Sequence, residues 1–211
     1  MRGFISEMGT VLRIHVARQY GEFTMTRAAG PAREIARPGL PPTEIAIKIR
    51  RHHLKLRPPQ PGDIGRVVER HGALYAAEYG WDWTFEALVA QVASEFILKF
   101  RPARDRGWIA ELDGRVVGSA FVVEKTGEIA KLRLLYVEPE ARGLGISRHL
   151  LNATLTFART AGYQTMMLWT NRNLAAARGL YASAGFKMTL QEPYRGFGHD
   201  LVGETWELPL G

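Results

Sequence analysis

From Leu132 to Arg148 the chain reads LRLLYVEPEARGLGISR, and the residues with chemical use are two glycines and the arginines around them. The apolar run Leu132 to Val137 predicts a buried strand that Pro139 stops, and a helix is expected to begin at the glycines. The first turn of a helix presents amide N–H groups without intrahelical partners, at the positive end of the helix dipole. An anion fits there. Gly143 and Gly145 lack a Cβ, so a diphosphate can approach the backbone and the turn can take dihedrals other residues avoid. Arg142 and Arg148 add charge. The same Gly-x-Gly serves equally as a tight strand-to-helix turn that holds no ligand.

The surrounding residues say more. Arg142-Gly-Leu-Gly145-Ile-Ser147 after LLYVEP resembles the acetyl-CoA loop of the GNAT N-acetyltransferase superfamily, whose pattern is Arg/Gln-x-x-Gly-x-Gly/Ala. Ser147 occupies the last small position, where its hydroxyl either hydrogen-bonds a phosphate or crowds it. About forty residues later, Ala177-Arg-Gly-Leu-Tyr181-Ala-Ser-Ala-Gly185-Phe186 resembles the second signature, Ala-x-x-x-Tyr-x-x-x-Gly-Phe. The resemblance covers about three quarters of the chain, Leu54 to Leu210. It implies an α/β (α+β) fold, a GNAT-like mixed and mostly antiparallel central sheet with helices on both faces. It implies acetyl-CoA as co-substrate and direct transfer of an acetyl group to a primary amine on a small-molecule or peptide acceptor. By the same resemblance, the strand edge at Leu135, Tyr136 and Val137 would hold the pantetheine arm as an added strand would. The amides of Arg142, Gly143, Leu144, Gly145, Ile146, Ser147 and Arg148 would hold the pyrophosphate, and an N–H near Val137 would polarise the thioester carbonyl. Asn173, one place earlier than the family's helix asparagine, and Ala177 and Tyr181 are the remaining expected cofactor contacts.

Such a transfer needs a fixed donor, an uncharged amine and a proton for the departing thiolate. Tyr181 is the expected general acid, because helical spacing puts it on the face of Ala177 and Ala184, where small side chains leave room. The competing reading is a core tyrosine beside Phe186. Glu138 is the candidate general base, with Glu111, Glu78, His199 and Asp200 as rivals. His199-Asp200 would read as a base and its orienter, although neighbours along a strand point to opposite faces. The His and acidic residues show no metal-ligand spacing, so no metal is expected.

The elements that must position these groups are legible in outline. Leu54 to Arg57 reads as a first strand, ended by Pro58-Pro59. Asp63 is expected to cap a helix running to about Ala77, with Ile64, Val67, Val68, His71 and Leu74 near one face. A second helix is expected from Thr84 to about Phe100. Between them, Tyr75 to Trp83 is dense in aromatics and acids, and either packs the corner or lines a substrate pocket. Asp113-Gly114 joins a β-hairpin, Trp108 to Leu112 with Arg115 to Lys125, and Thr126-Gly127 turns into the strand Ile129 to Val137. A helix from about Gly145 ends at Gly162, and Tyr163 to Thr170 follows as a parallel strand. Asn171 or Asn173 opens a helix through Ala184. Phe186 to Gln191 and the segment Gly196 to Leu208 complete the sheet.

Composition sets the outer limits. At 211 residues the chain can bury a sizeable core in one domain plus an extension. The expected division is a basic arm, residues 1–53, and an acetyltransferase domain, residues 54–211. Residues 1–53 carry nine Lys/Arg and four Asp/Glu, against nineteen and seventeen in the remainder, so most of the net +7 lies in the arm. Its Gly30-Pro31, Pro38-Gly39 and Pro41-Pro42 read as a linker behind an amphipathic stretch, Phe4 to Tyr20. Related domains occur alone or fused to MarR-type regulators, but this segment is too short for such a domain and shows no helix-turn-helix. With no cysteine, disulfides and a cysteine nucleophile are excluded. No transmembrane-length apolar run or signal peptide is seen, so a cytoplasmic protein is expected. Two rival readings are a non-catalytic acyl-CoA-binding regulatory module and a nucleic-acid-associated protein acting through the basic arm. Neither accounts for both signatures. The resemblance also admits a homodimer.

Overall fold

The structure, a computed structural model, describes residues 44–49 and 51–211. The expected amphipathic stretch at Phe4 to Tyr20 and the Pro/Gly linker lie outside the described residues. Glu44 to His53, expected in the arm, instead opens the sheet: β1 (Ile45–Ile49) pairs antiparallel with β2 (His52–Arg57), Ile45 opposite Leu56. The cause is a period-two pattern in which Ile45, Ile47 and Ile49 turn to the core while Ala46 and Lys48 are exposed. The sheet therefore starts ahead of the boundary expected at Leu54.

The chain continues antiparallel through β3 (Arg106–Leu112), β4 (Arg115–Glu124) and β5 (Ile129–Val137). Asp113 and Gly114, at φ 49° and 82°, supply the two positive φ angles the β3–β4 turn requires. β6 (Thr165–Asn171) lies parallel to β5, and β8 (His199–Pro209) and β7 (Lys187–Gly196) complete the order β1-β2-β3-β4-β5-β6-β8-β7. Among the described residues four helices cover this sheet: α1 (Asp63–Tyr79), α2 (Trp83–Leu98), α3 (Ile146–Thr160) and α4 (Ala175–Ser183). Alternation along β3 shows the two faces. Trp108 and Ala110 pack with Leu150 and Phe157 of α3, whereas Ile109 packs with Val67 of α1 and Phe96 of α2. The expected sheet with helices on both faces is thus observed.

Several element ends differ from expectation for local reasons. Gly62, at φ 98°, holds the cap position of α1. Asp63 is the first helical residue, and its carboxylate accepts from Arg57 at 2.6 and 3.2 Å and from the Gln60 N–H at 2.7 Å. α2 begins at Trp83, because Asp82 is its cap and accepts the Thr84 N–H at 3.0 Å. Neither Asn171 nor Asn173 caps α4, since Leu174 precedes it and Asn171 Oδ1 accepts the Tyr194 hydroxyl at 2.8 Å. β7 extends past Gln191 to Gly196 because Phe197 and Gly198, at φ 55° and 83°, turn it directly into β8.

Candidate active site

The site begins where the sheet comes apart. The β5–β6 ladder has three pairs, Ile129–Thr165, Ala130–Met166 and Lys131–Met167, and beyond them the strands separate. A bulge on the other edge of β5 accompanies this: Arg133 faces Phe121 and Tyr136 faces Ser119, so Leu134 and Leu135 stand opposite one residue of β4. Leu134 has φ 49°, a conformation that branched and bulky residues rarely adopt, and its carbonyl accepts the Ser119 hydroxyl at 2.8 Å. Bulges increase local twist and bend the strand that carries them. The result is a pocket of about 130 Å³, walled by Leu132 to Leu135 of β5 and Leu168 to Thr170 of β6.

At the end of β5 the chain makes one 3-10 turn, Pro139–Ala141, and enters the glycine turn. Gly143 and Gly145 have φ 78° and 79°, and a Cβ built on either would meet no atom within 4 Å. The turn is therefore open-faced, and the first amides of α3 are presented at it. Ile146 is buried and anchors the helix, Leu144 and Ser147 are half-buried, and Gly143, Gly145 and Arg148 are exposed. The Arg142 guanidinium does not stand beside these amides as a free charge. Nη2 donates to Glu78 of α1 at 2.6 Å and Nε to the Val137 carbonyl at 3.3 Å. This ties the glycine turn to α1.

Tyr181 and Ala177 of α4 both line the pocket. Tyr181 is 7% exposed, its ring 5.9 Å from that of Phe186. It is thus a buried tyrosine beside Phe186, as the competing reading has it, and at the same time part of the pocket wall. Burial pushes its phenol well above the ordinary tyrosine range, so it stays protonated and able to donate. Asn173 is exposed in the turn before α4 and lines no part of the pocket. Leu135 lines it. Tyr136 sends its side chain toward α1, and Val137 packs with the α3 core.

The aromatic corner divides in two. Tyr75, Trp81 and Phe85 pack on one another, with ring centroids 4.5 to 5.0 Å apart, and also wall the pocket. Trp83 is 85% exposed. Phe197, at the β7–β8 turn, closes the corner with its ring 4.8 Å from Trp81. The sequence reading missed His71, Phe85 and Trp169 as pocket residues. Their apolar spacing marked burial, and nothing in it marks which buried side chains border a gap between strands. Trp169 can approach β8 closely because residue 203 is glycine: a Cβ there would stand 2.8 Å from the indole.

None of the five candidate bases lines the pocket. Glu138 is 2% exposed, and Arg70 of α1 engages both of its oxygens, Nε to Oε1 at 2.7 Å and Nη2 to Oε2 at 2.8 Å. It turns toward α1 at the strand end and fastens helix to sheet. Replacing Arg70 with Met should cost about 3 kcal/mol or more in urea unfolding, because a buried carboxylate loses its partner. Adding Glu138→Gln should recover part of that. Glu111 pairs with Arg57 at 2.9 Å, and Glu78 with Arg142. His199 Nε2 lies 2.9 Å from the Gly80 carbonyl while Asp200 pairs with Arg195 at 2.9 Å, so these neighbours do not act on each other.

A sheet parted at its one parallel pair, with an open glycine turn leading into a helix beside the gap, is the architecture of an acyl-CoA-dependent transferase. The acetyltransferase (GNAT) family model matches residues 70–186, and the chain belongs to that family, whose co-substrate is acetyl-CoA. An uncharacterized N-acetyltransferase of Schizosaccharomyces pombe is 33% identical over 122 residues, 57% of this chain and 73% of that one. Human N-acetyltransferase 8B is 38% identical over 89 residues, 40% of this chain; the match spans only 39% of that relative's length. Among solved structures, an acetyltransferase of Salmonella typhimurium bound to its cofactor acetyl-CoA superposes with a TM-score of 0.59 at 22% identity, covering 75% of this chain and 94% of that one. A phosphinothricin N-acetyltransferase gives 0.63 at 19% identity over 75% and 99%. Both have the same fold.

Proposed function

We propose that this chain transfers the acetyl group of acetyl-CoA directly to a primary amine. The observation that carries this is the parting of β5 and β6 beyond Lys131 and Met167, with Tyr181 on its wall and the open glycine turn at its end. The donor fits these residues. The β5 edge from Leu132 offers backbone groups to the amide-bearing arm, and the amides from Gly143 to Arg148 receive the pyrophosphate. A backbone N–H of the bulged segment near Val137 stabilises the charge that grows on the thioester oxygen.

The amine nitrogen forms a bond to the carbonyl carbon, the carbon–sulfur bond breaks, and the departing sulfur takes the Tyr181 proton. The proton lost by the amine leaves to solvent and Tyr181 is reprotonated. With Glu138 fastened to Arg70, we assign Glu138 to positioning α1 rather than to proton removal. Among the described residues no helix is long and apolar enough to cross a membrane, which accords with a cytoplasmic assignment. The test is thiol release from acetyl-CoA in the presence of primary amines, with mass spectrometry of the product. Amine-dependent release with a gain of one acetyl group on the amine is expected, and thiol release without N-acetyl product would refute the reading.

A further inference from the structure

His71 is the buried titratable group in the pocket that acetyl transfer, as assigned above, leaves unused. It is 3% exposed and lies among Tyr75 and Phe85 of the aromatic corner and Tyr136 of β5, whose ring is 4.9 Å away. Its Nδ1 is 2.8 Å from the Val67 carbonyl one helical turn earlier. A carbonyl only accepts, so Nδ1 carries the proton and Nε2 is a bare acceptor. Among the described residues Nε2 has no hydrogen-bond partner, while the side chain lines the pocket. Unlike the Tyr136 hydroxyl and the Trp81 indole nitrogen, which are buried without a partner, Nε2 keeps some accessible surface with which to accept a donor.

The other lining groups narrow what that ligand is. The titratable side chains facing His71 and the pocket are Tyr75 from α1, Arg133 and Tyr136 from β5, and Tyr181 from α4; α2 and β6 contribute Phe85, Leu88, Val89, Val92, Leu168, Trp169 and Thr170. Among the described residues no carboxylate lines it. A cationic amine entering would lose its water among apolar and aromatic walls. The same surroundings keep His71 itself neutral, pushed down to about 4 by burial. An ammonium is thus disfavoured here, and the free base of the amine is favoured, without a dedicated basic side chain. The volume, about 130 Å³ walled by aromatic faces, is close to that of an apolar cavity known to hold one benzene ring.

Resting on the amine-acetylation reading above, we propose that His71 Nε2 accepts the N–H of an uncharged primary amine carried on an apolar, aryl-sized body, and so positions the attacking nitrogen. The proton accepted in this hydrogen bond stays on the amine until the carbon–nitrogen bond has formed. Polycationic acceptors and lysine-rich peptides are disfavoured in the pocket by the same cost of desolvation.

The test uses benzylamine as acceptor and compares the unaltered protein with His71→Phe, which keeps a ring but removes the acceptor, and His71→Gln, whose Oε1 reaches toward the place of Nε2. The expected result is a KM for benzylamine raised about tenfold in His71→Phe, the worth of one hydrogen bond, and largely restored in His71→Gln. The KM for acetyl-CoA should be the same in all three, which a purely structural role would not leave unchanged. Equal benzylamine KM values in the three proteins would overturn the His71 assignment and leave amine acetylation standing. Acetyl-CoA binding by calorimetry with no benzylamine-dependent thiol release in the unaltered protein would overturn this inference at its substrate. Should His71→Phe not fold, the 15N shift of Nε2 in the unaltered protein decides: it moves on adding benzylamine if the assignment is right and stays if it is wrong.

Discussion

Gly145→Trp is expected to abolish acetyl-CoA binding at concentrations that saturate the unaltered protein, with the fold retained. The backbone cost is modest. Gly145 sits at φ 79°, where an L-residue carries about 1–2 kcal/mol of strain, and no atom lies within 4 Å of the new Cβ. The open space that makes the substitution tolerable is the space where the diphosphate would come against the amides of α3. An indole there obstructs the approach that the glycine permits. Gly145→Ala separates the two effects, since a methyl brings the strain and little bulk. It should lower the midpoint of thermal unfolding about as much as Trp does, yet bind acetyl-CoA in calorimetric titration. Equal loss of binding in both variants would mean that the dihedral, not the open face, matters. No binding by the unaltered protein would defeat the donor-site assignment altogether.

Tyr181→Phe is expected to lower kcat about a hundredfold while leaving the dissociation constant of acetyl-CoA nearly unchanged. The ring stays, so its packing against Phe186 survives and the wall of the pocket keeps its shape. What goes is a hydroxyl whose proton burial holds in place. Because that phenol is pushed up, the acid limb and mid-range of the pH profile should show no ionisation of Tyr181. Loss of activity should therefore appear as a lowered plateau rather than a displaced limb. A kcat within a factor of about two of the unaltered enzyme would reassign Tyr181 to packing alone. His71 gives a different pH signature, in stability. The unfolded chain binds a proton near the ordinary histidine value of 6.5 and the folded one near 4. Stability should be fully present above about 6.5 and decline as pH falls toward 4, a slope that His71→Phe removes.

Local chemistry was legible and relations between distant strands were not. The glycine turn, the Asp113-Gly114 hairpin and the β5 limits, Ile129 to Val137, are recoverable because each rests on short-range rules of dihedral preference and alternation. β1 was missed because its three alternating isoleucines sit beside a Pro-rich run that reads as linker. The separation of β5 from β6 has no sequence signature: it goes with a bulge at which Leu134 takes a left-handed conformation that leucine seldom takes. The pairing of Glu138 was not legible because Arg70, its partner, lies 68 residues away in the chain. The carboxylate's availability was decided by tertiary pairing, which spacing does not encode. Tyr181 and Ala177 were singled out by their place in the second signature and by a helical repeat that puts them on one face, and both line the pocket.

The separation of β5 and β6 also makes the sheet a partition with a doorway in it. Helices α1 and α2 stand on one side and α3 on the other, and the walls of the opening draw residues from α1, α2 and α4 alike. On the assignments made above, the donor's diphosphate rests on the glycine turn at the end of β5 while the amine lies against the walls of the opening, so each has its own hold. Excess of either should not shut out the other. A relay in which the acetyl group rests on the protein between visits is unnecessary in such a layout, since both guests can be present when it changes hands.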